Sequence, residues 1–200
     1  IHFAEVPLHR FPGAARGDGH LLVVVARRAA GSESIIEPES VGLRQEPGHW
    51  EADTMVSSKS QAAIQVVVER TARYARLMPL PAKTALSMHA SLVDALGALP
   101  RNLRRTITYD NGSENTKHQQ TNQSLGTQSY FCEPMRSWEK GSVENVAGLV
   151  RRWLPKGTDF AKVSPDRLRN IESWLNNLPR KCLGFQTPTE VLRASVALTS

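Results

Sequence analysis

Residues 48–55 read Gly-His-Trp-Glu-Ala-Asp-Thr-Met, and the fold turns on how this stretch is placed. His49–Ser57 reads as a strand. Alternation then puts Glu51, Asp53 and Met55 on one face, with Trp50, Ala52 and Thr54 on the other. An acid in a strand otherwise destined for the core is costly unless it is paired or holds a cation. Asp53 is therefore a candidate site residue, with salt-bridge partner as the plainer reading.

Working outward, Ala63–Arg70 (AIQVVVER) is rich in β-branched residues and reads as a buried strand. Tyr74–Met78 reads as a third strand. The short gaps favour an antiparallel meander, which Pro79 and Pro81 stop. Lys83–Leu99 carries apolar residues at helical spacing up to Pro100. Thr106–Tyr109 is a short strand, followed at once by the turn signal Asp110-Asn111-Gly112. Thr127–Cys132 is another strand. Ser142–Leu154 is a helix with Ser142 as its cap and an apolar stripe of Val143, Val146, Ala147, Val150, Trp153 and Leu154. Pro165–Leu178, capped by Ser164, and Thr187–Ala194 are further helices. The order predicts an α/β fold, a mixed sheet with helices packed on it.

Three acids fall at telling places. Asp53 is within a strand, Asp110 at a strand's C-terminal end, and Glu144 in the first turn of a helix. If they meet, their hard oxygen donors suit Mg2+ or Mn2+. Two such ions activate an attacking oxygen and stabilise a leaving one in phosphoryl transfer. Each acid alone also reads as an ordinary residue: an ion-pair partner, a turn Asp, or a helix N-terminal charge.

The bulk numbers agree with an anionic partner without requiring one. Lys+Arg 25 against Asp+Glu 19 give a net charge of +6 and a pI near 9.7. Five of those six excess charges lie between Arg136 and Ser200. The longest apolar run, Leu21–Ala26, is too short to span a bilayer, so no membrane partner is expected. Cys132 and Cys182 make no CxxC pair and read as reduced, mostly packed thiols of a cytoplasmic protein. Leu21–Ala26 also reads as a buried strand, but a loosely ordered leader fits residues 1 to about 40 better.

The words around the acids carry a resemblance. GHWEADTM (48–55), VVERTARY (67–74), PAKTA (81–85), TYDNGSE (108–114), SYFC (129–132), SWEKGSVEN (137–145) and RRWLPKGTDF (151–160) occur in that order, with thirty-three residues between Asp110 and Glu144. From about Arg44 to Val191 the chain resembles the DDE transposases of the IS-thirty insertion-sequence family. The resemblance implies an RNase H-like mixed five-stranded sheet flanked by helices. It implies an enzyme that nicks element ends by hydrolysis and joins their 3′-hydroxyls to target DNA. Its catalytic and metal-binding acids match Asp53, Asp110 and Glu144. Asn111, Gly112, His118, Asn145 and Gly148 lie in the same words and are expected to shape the site. DNA, as terminal inverted repeats and target, is the implied partner, and a homo-oligomer the implied working form.

Ala147 stands where the family often has Asn, and Met135 where an aromatic or His is common. The family also carries a helix-turn-helix before its catalytic domain. Residues 1–43 lack the periodicity for one, so the expected organisation is a poorly defined extension followed by a catalytic core over 44–200. A remnant without competent transposition, or a nuclease of the same fold, stays open. Arg151, Arg152 and Lys156 are expected to contact DNA phosphate. Trp153 is expected in the core, and Trp138 has no assigned place.

Overall fold

The computed structural model describes residues 25–27, 33–35, 41, 44–132 and 141–197. Among the described residues there are seven strands: β1 (Val25–Arg27), β2 (Glu33–Ile35), β3 (His49–Val56), β4 (Ala63–Glu69), β5 (Ala75–Leu80), β6 (Thr106–Tyr109) and β7 (Gln128–Phe131). The helices are α1 (Ala85–Leu96), α2 (His118–Leu125), α3 (Gly141–Trp153), α4 (Pro165–Asn177) and α5 (Pro188–Ala197). β1 and β2 form an antiparallel ribbon. The five-stranded sheet runs β5-β4-β3-β6-β7. β3, β4 and β5 pair antiparallel as the short gaps predict, whereas β6 joins β3, and β7 joins β6, in parallel. The mixed sheet expected from the sequence is the one observed.

Each face of the sheet has its own core. Met55, Ile64, Val66, Val68 and Leu77 pack with Val143, Val146 and Val150 of α3 and with Leu168, Ile171 and Leu175 of α4. Trp50, Ala52, Val67, Met78, Ile107 and Tyr109 pack on the other side with Leu92, Ala95 and Leu96 of α1 and Leu125 of α2. The period-2 pattern of β3 thus assigns Met55 to the α3 side and Trp50 and Ala52 to the α1 side, as alternation predicts.

Gly48 sets the start of β3. Its φ is +99°, and a Cβ there would lie 2.5 Å from the Asn102 carbonyl oxygen, so no other residue fits without moving backbone. Its carbonyl accepts from the N–H groups of Arg105 (2.8 Å) and Thr106 (3.2 Å), which brings β6 alongside β3.

Several boundaries depart from expectation for local reasons. β5 runs through Pro79 to Leu80 instead of stopping before it. It is an edge strand and Pro79 is exposed, so the missing N–H removes little from the sheet. α4 covers that edge: Asn176 accepts from Ala75 N–H (2.8 Å) and donates to its carbonyl (2.8 Å), while Glu172 accepts from Leu77 N–H (2.8 Å). This removes free strand edge that would invite pairing with another chain.

α1 is shorter than its apolar pattern. Thr84 caps it by accepting from Ser87 N–H at 3.2 Å, and Gly97 closes it. α3 begins one residue earlier than expected, so Ser142 is inside its first turn rather than its cap. Ser164 caps α4 as expected, accepting from Arg167 N–H at 3.2 Å. Trp153 is 44% exposed, contrary to the core assignment. It lies at the margin of the stripe and packs edge-on against Trp174 of α4, with ring centroids 5.5 Å apart. Both cysteines are free, but only Cys132 is buried; Cys182 is exposed. Of the expected leader strand, Val25 and Ala26 fall in β1 and the rest lies outside the described residues, as do Met135 and Trp138.

Candidate active site

The first two acids lie on and just beyond neighbouring strands. β3 and β6 pair in parallel with Trp50 abreast of Ile107 and Glu51 abreast of Thr108. The pairing ends at Glu51 and Thr108 and β6 at Tyr109; carried two residues further, the same register would set Asp110 abreast of Asp53. Residues abreast in a parallel pair share a face. Trp50, Ala52, Ile107 and Tyr109 belong to the α1-side core, so Glu51, Asp53 and Thr108 occupy the face that α3 covers, and Asp110 follows directly after β6. Both Asp53 and Asp110 are partly exposed.

The third acid is delivered by α3, and a buried carboxylate anchors that helix. Glu51 is fully buried, and its Oε2 accepts the N–H groups of Ser142 (3.0 Å) and Val143 (2.9 Å). Its Oε1 lies 3.0 Å from the Arg70 guanidinium and 3.9 Å from that of Arg44. Strand β3 thus supplies the counter-charge to the positive end of α3 and fixes where Glu144 begins. Glu144 itself is exposed, one position on from buried Val143.

The two flanks of α3 face different neighbours. Ser142 accepts from the Arg73 guanidinium in the β4–β5 turn. Arg151, two turns beyond Glu144 on the same flank, reaches the Val56 carbonyl at 3.5 Å. The Glu144 flank therefore lies toward the end of β3 that carries Asp53, and the Ser142 flank toward the β4–β5 turn. Among the described residues, no three His, Cys, Asp or Glu side chains stand together as a ready metal-binding group. The three acids are thus Asp53 within β3, Asp110 just past β6 and Glu144 exposed on the covering helix.

The loop after β6 is braced around Asp110. Asn115 donates from Nδ2 to the Asp110 carboxylate (2.7 Å) and to its carbonyl (3.2 Å). Gly112 N–H donates to the same carboxylate oxygen at 3.3 Å. A side chain at Gly112 would collide with the Glu114 carboxylate, which pairs with Lys83 just ahead of α1. Asn111 donates to the Cys132 carbonyl at 2.8 Å and ties the ends of β6 and β7 together. Gly112 and Asn111 thus act on the loop that follows β6.

The other candidates separate. His118 begins α2, 3.1 Å from the Asn115 carbonyl through Nδ1 and edge-on to Phe131 at 5.0 Å between centroids. It supports the brace around Asp110 through Asn115. Asn145 lines a cavity on the Ser142 flank with Arg44, Arg73 and Arg180, away from the Glu144 flank. Gly148 is exposed, and an added Cβ would meet nothing within 4 Å, so packing does not require glycine there. Arg151 packs over the Phe160 ring at 5.4 Å and is half-buried, while Arg152 and Lys156 are exposed.

Three features escaped the sequence reading: Glu51 as the helix anchor, Asn115 as the Asp110 brace, and the convergence of Arg44, Arg73 and Arg180. Only the first had a signal, an acid placed on the inward face two residues before Asp53.

Residues 44–137 match the family model described as Integrase core domain. The chain is 40% identical over 162 residues to the transposase for insertion sequence element IS1086 of Cupriavidus metallidurans, which is 81% of this chain and 48% of that protein. It is 38% identical over 160 residues to transposase InsI for insertion sequence element IS30C of Escherichia coli, 80% of this chain and 42% of the relative. The chain spans somewhat under half the length of these curated relatives. Among solved structures it is similar to the catalytic core domain of BIV integrase, with a TM-score of 0.60 at 20% identity over 76% of this chain and 99% of that one. A chain of the simian T-cell lymphotropic virus intasome, solved with the PP2A regulatory subunit B56 gamma, gives a TM-score of 0.60 at 20% identity over 72% of this chain and 54% of that chain. At that identity the likeness establishes the fold, which is RNase H-like. Among the described residues no helix is long and apolar enough to cross a membrane.

Proposed function

We propose that this chain, matched over residues 44–137 by an integrase core model and similar to IS30-type transposases, is the phosphoryl-transfer centre of a transposase, nicking element ends and joining their 3′-hydroxyls to target DNA. What supports this reading is the parallel pairing of β3, which carries Asp53, with β6, which ends just before Asp110, beneath the helix that carries Glu144.

Asp53, Asp110 and Glu144 would hold the Mg2+ or Mn2+ ions. The fit rests on donor chemistry: three carboxylates, two of them on adjacent strands and partly exposed, offer only hard oxygen ligands. When bound, two such ions activate the attacking oxygen and stabilise the leaving oxygen. The chain's own contribution is placement. Glu51 holds the start of α3, Asn115 and Gly112 hold the Asp110 carboxylate, and the parallel pairing of β3 with β6 sets the strands that carry and precede the two aspartates beside one another. Preorganisation of this kind lets the acids meet developing charge without rearranging. Arg152 and Lys156, exposed on and just beyond α3, are suited to contact backbone phosphate; Arg151, committed in part to Phe160, flanks them. DNA is thus the partner, and assembly of several copies on paired ends is the working form that the relatives suggest.

The test is nicking and strand transfer of a labelled 3′-hydroxyl duplex into supercoiled plasmid with Mg2+ or Mn2+. The parent is expected to join the label. Asp53→Asn, Asp110→Asn and Glu144→Gln are each expected to fall by about a thousandfold or more, the scale of lost electrostatic stabilisation. Equal nicking by all four chains would remove the reading. Cleavage without joining would leave a nuclease of the same fold.

A further inference from the structure

On the Ser142 flank of α3, away from Glu144, lies a cavity of about 290 Å3 lined by Arg44, Arg73, Ser142, Asn145, Arg180 and Cys182, together with backbone of the helix. Three guanidiniums from distant parts of the chain meet there: one before β3, one in the β4–β5 turn, one between α4 and α5. Among the described residues no carboxylate lines it. Glu51 lies beneath, but its oxygens serve the Ser142 and Val143 amides and Arg70, with Arg44 at 3.9 Å.

The positive charge is incompletely used. A guanidinium has five N–H donors. Arg73 gives one described bond, to Ser142, and Arg180 one, to the Leu175 carbonyl at 3.2 Å. Among the described residues neither forms an ion pair with an acid. Burial, and in smaller part the neighbouring Arg73 charge, lower the pKa of Arg180 against an opposing effect of Cys182. Bringing Arg73 and Arg180 together, with no acid paired to either among the described residues, costs free energy that a bound anion offsets. Planar guanidiniums converging on a space of this size match the tetrahedral oxygens of a phosphate.

We infer that the Arg44–Arg73–Arg180 cavity binds a backbone phosphate of the DNA, holding the strand on the far flank of α3 while another part of it lies at the acids. This rests on the reading of the chain as a DNA-processing core, and it assigns a grip distinct from Arg151, Arg152 and Lys156.

Cys182 provides a local reporter, since it lines the cavity and is exposed while Cys132 is buried. The experiment measures alkylation of Cys182 by iodoacetamide, with and without saturating mixed-sequence duplex DNA, in EDTA so that no strand chemistry proceeds. Alongside it, DNA affinity is measured across a salt series. In the parent, DNA is expected to slow alkylation several-fold. In Arg73→Gln/Arg180→Gln the protection is lost, affinity falls, and the slope of log K against log salt becomes shallower by about 1. The charge-keeping Arg73→Lys/Arg180→Lys pair retains most of the slope, which keeps the test decisive if the Gln pair folds poorly. Asp53→Asn protects Cys182 like the parent, so a failure of the catalytic reading stays separate. An alkylation rate in the parent unmoved by DNA, a parent that binds no DNA, or an unchanged salt slope in a folded Gln pair would each overturn the assignment.

Discussion

Glu51 and Asp53 stand two residues apart on the same face of the same strand, yet they occupy opposite environments. Glu51 is fully buried, with two helix amides on one oxygen and the Arg70 guanidinium at the other. Asp53 is partly exposed, on the strand paired with the one that ends just before a second acid, Asp110. A buried carboxylate whose partners are built into the fold is committed to holding structure. A partly open carboxylate set beside a like charge is suited to an incoming cation. The sequence word Glu-Ala-Asp therefore carries an anchor and a candidate ligand, and only the surroundings tell them apart.

The strongest way to break this contrast is at the anchor. Glu51→Ala leaves Arg70 buried without its acid and two helix amides uncapped, and is expected to cost about 3–5 kcal/mol in urea unfolding. A loss under about 1 kcal/mol would mean that α3 is not anchored there. Next comes the Asp110 brace. Asn115→Ala removes a buried amide that donates to the carboxylate, with an expected cost of about 1.5–3 kcal/mol. Asp53→Asn should sit at the opposite pole from Glu51→Ala, within about 1 kcal/mol of the parent in the same assay.

The smallest effect concerns Glu69, a second buried acid near the start of β3, which accepts from Gly48 N–H (3.0 Å) and Ala72 N–H (2.5 Å). Burial outweighs these bonds and raises its pKa above the usual 4.5. Over that interval the folded protein keeps a proton that the unfolded chain has released. This group alone therefore makes stability fall as pH rises from 4.5 through the raised value. Unfolding of Glu69→Gln followed across that range is expected to lack this part of the slope; an identical profile would place the titration elsewhere.

Much of the fold was legible because its signals are local. The β-branched run of β4, the alternation of β3 and the Val143–Val146–Val150 stripe each specify an element and its buried face without long-range information. The edge position of β5 was not legible, so Pro79 read as a stop. Trp153 was misplaced because helical periodicity gives the stripe but not its margin, which Trp174 of another helix decides. At the site, Asp53, Asp110 and Glu144 were picked out by position and by the words around them. Their bracing was not, because Asn115 acts through loop geometry and Glu51 through a helix ninety residues away. The arginine cavity left no trace in sequence order at all, since its three cations come from segments that only folding brings together.

The central physical claim is that Asp53, Asp110 and Glu144 share one cation-binding site. Calorimetric titration of Mn2+ into the parent, Asp53→Asn, Asp110→Asn and Glu144→Gln tests it without relying on turnover. The expected result is binding by the parent and an affinity lower by about tenfold or more in every variant. Binding of equal strength in all four proteins would contradict it.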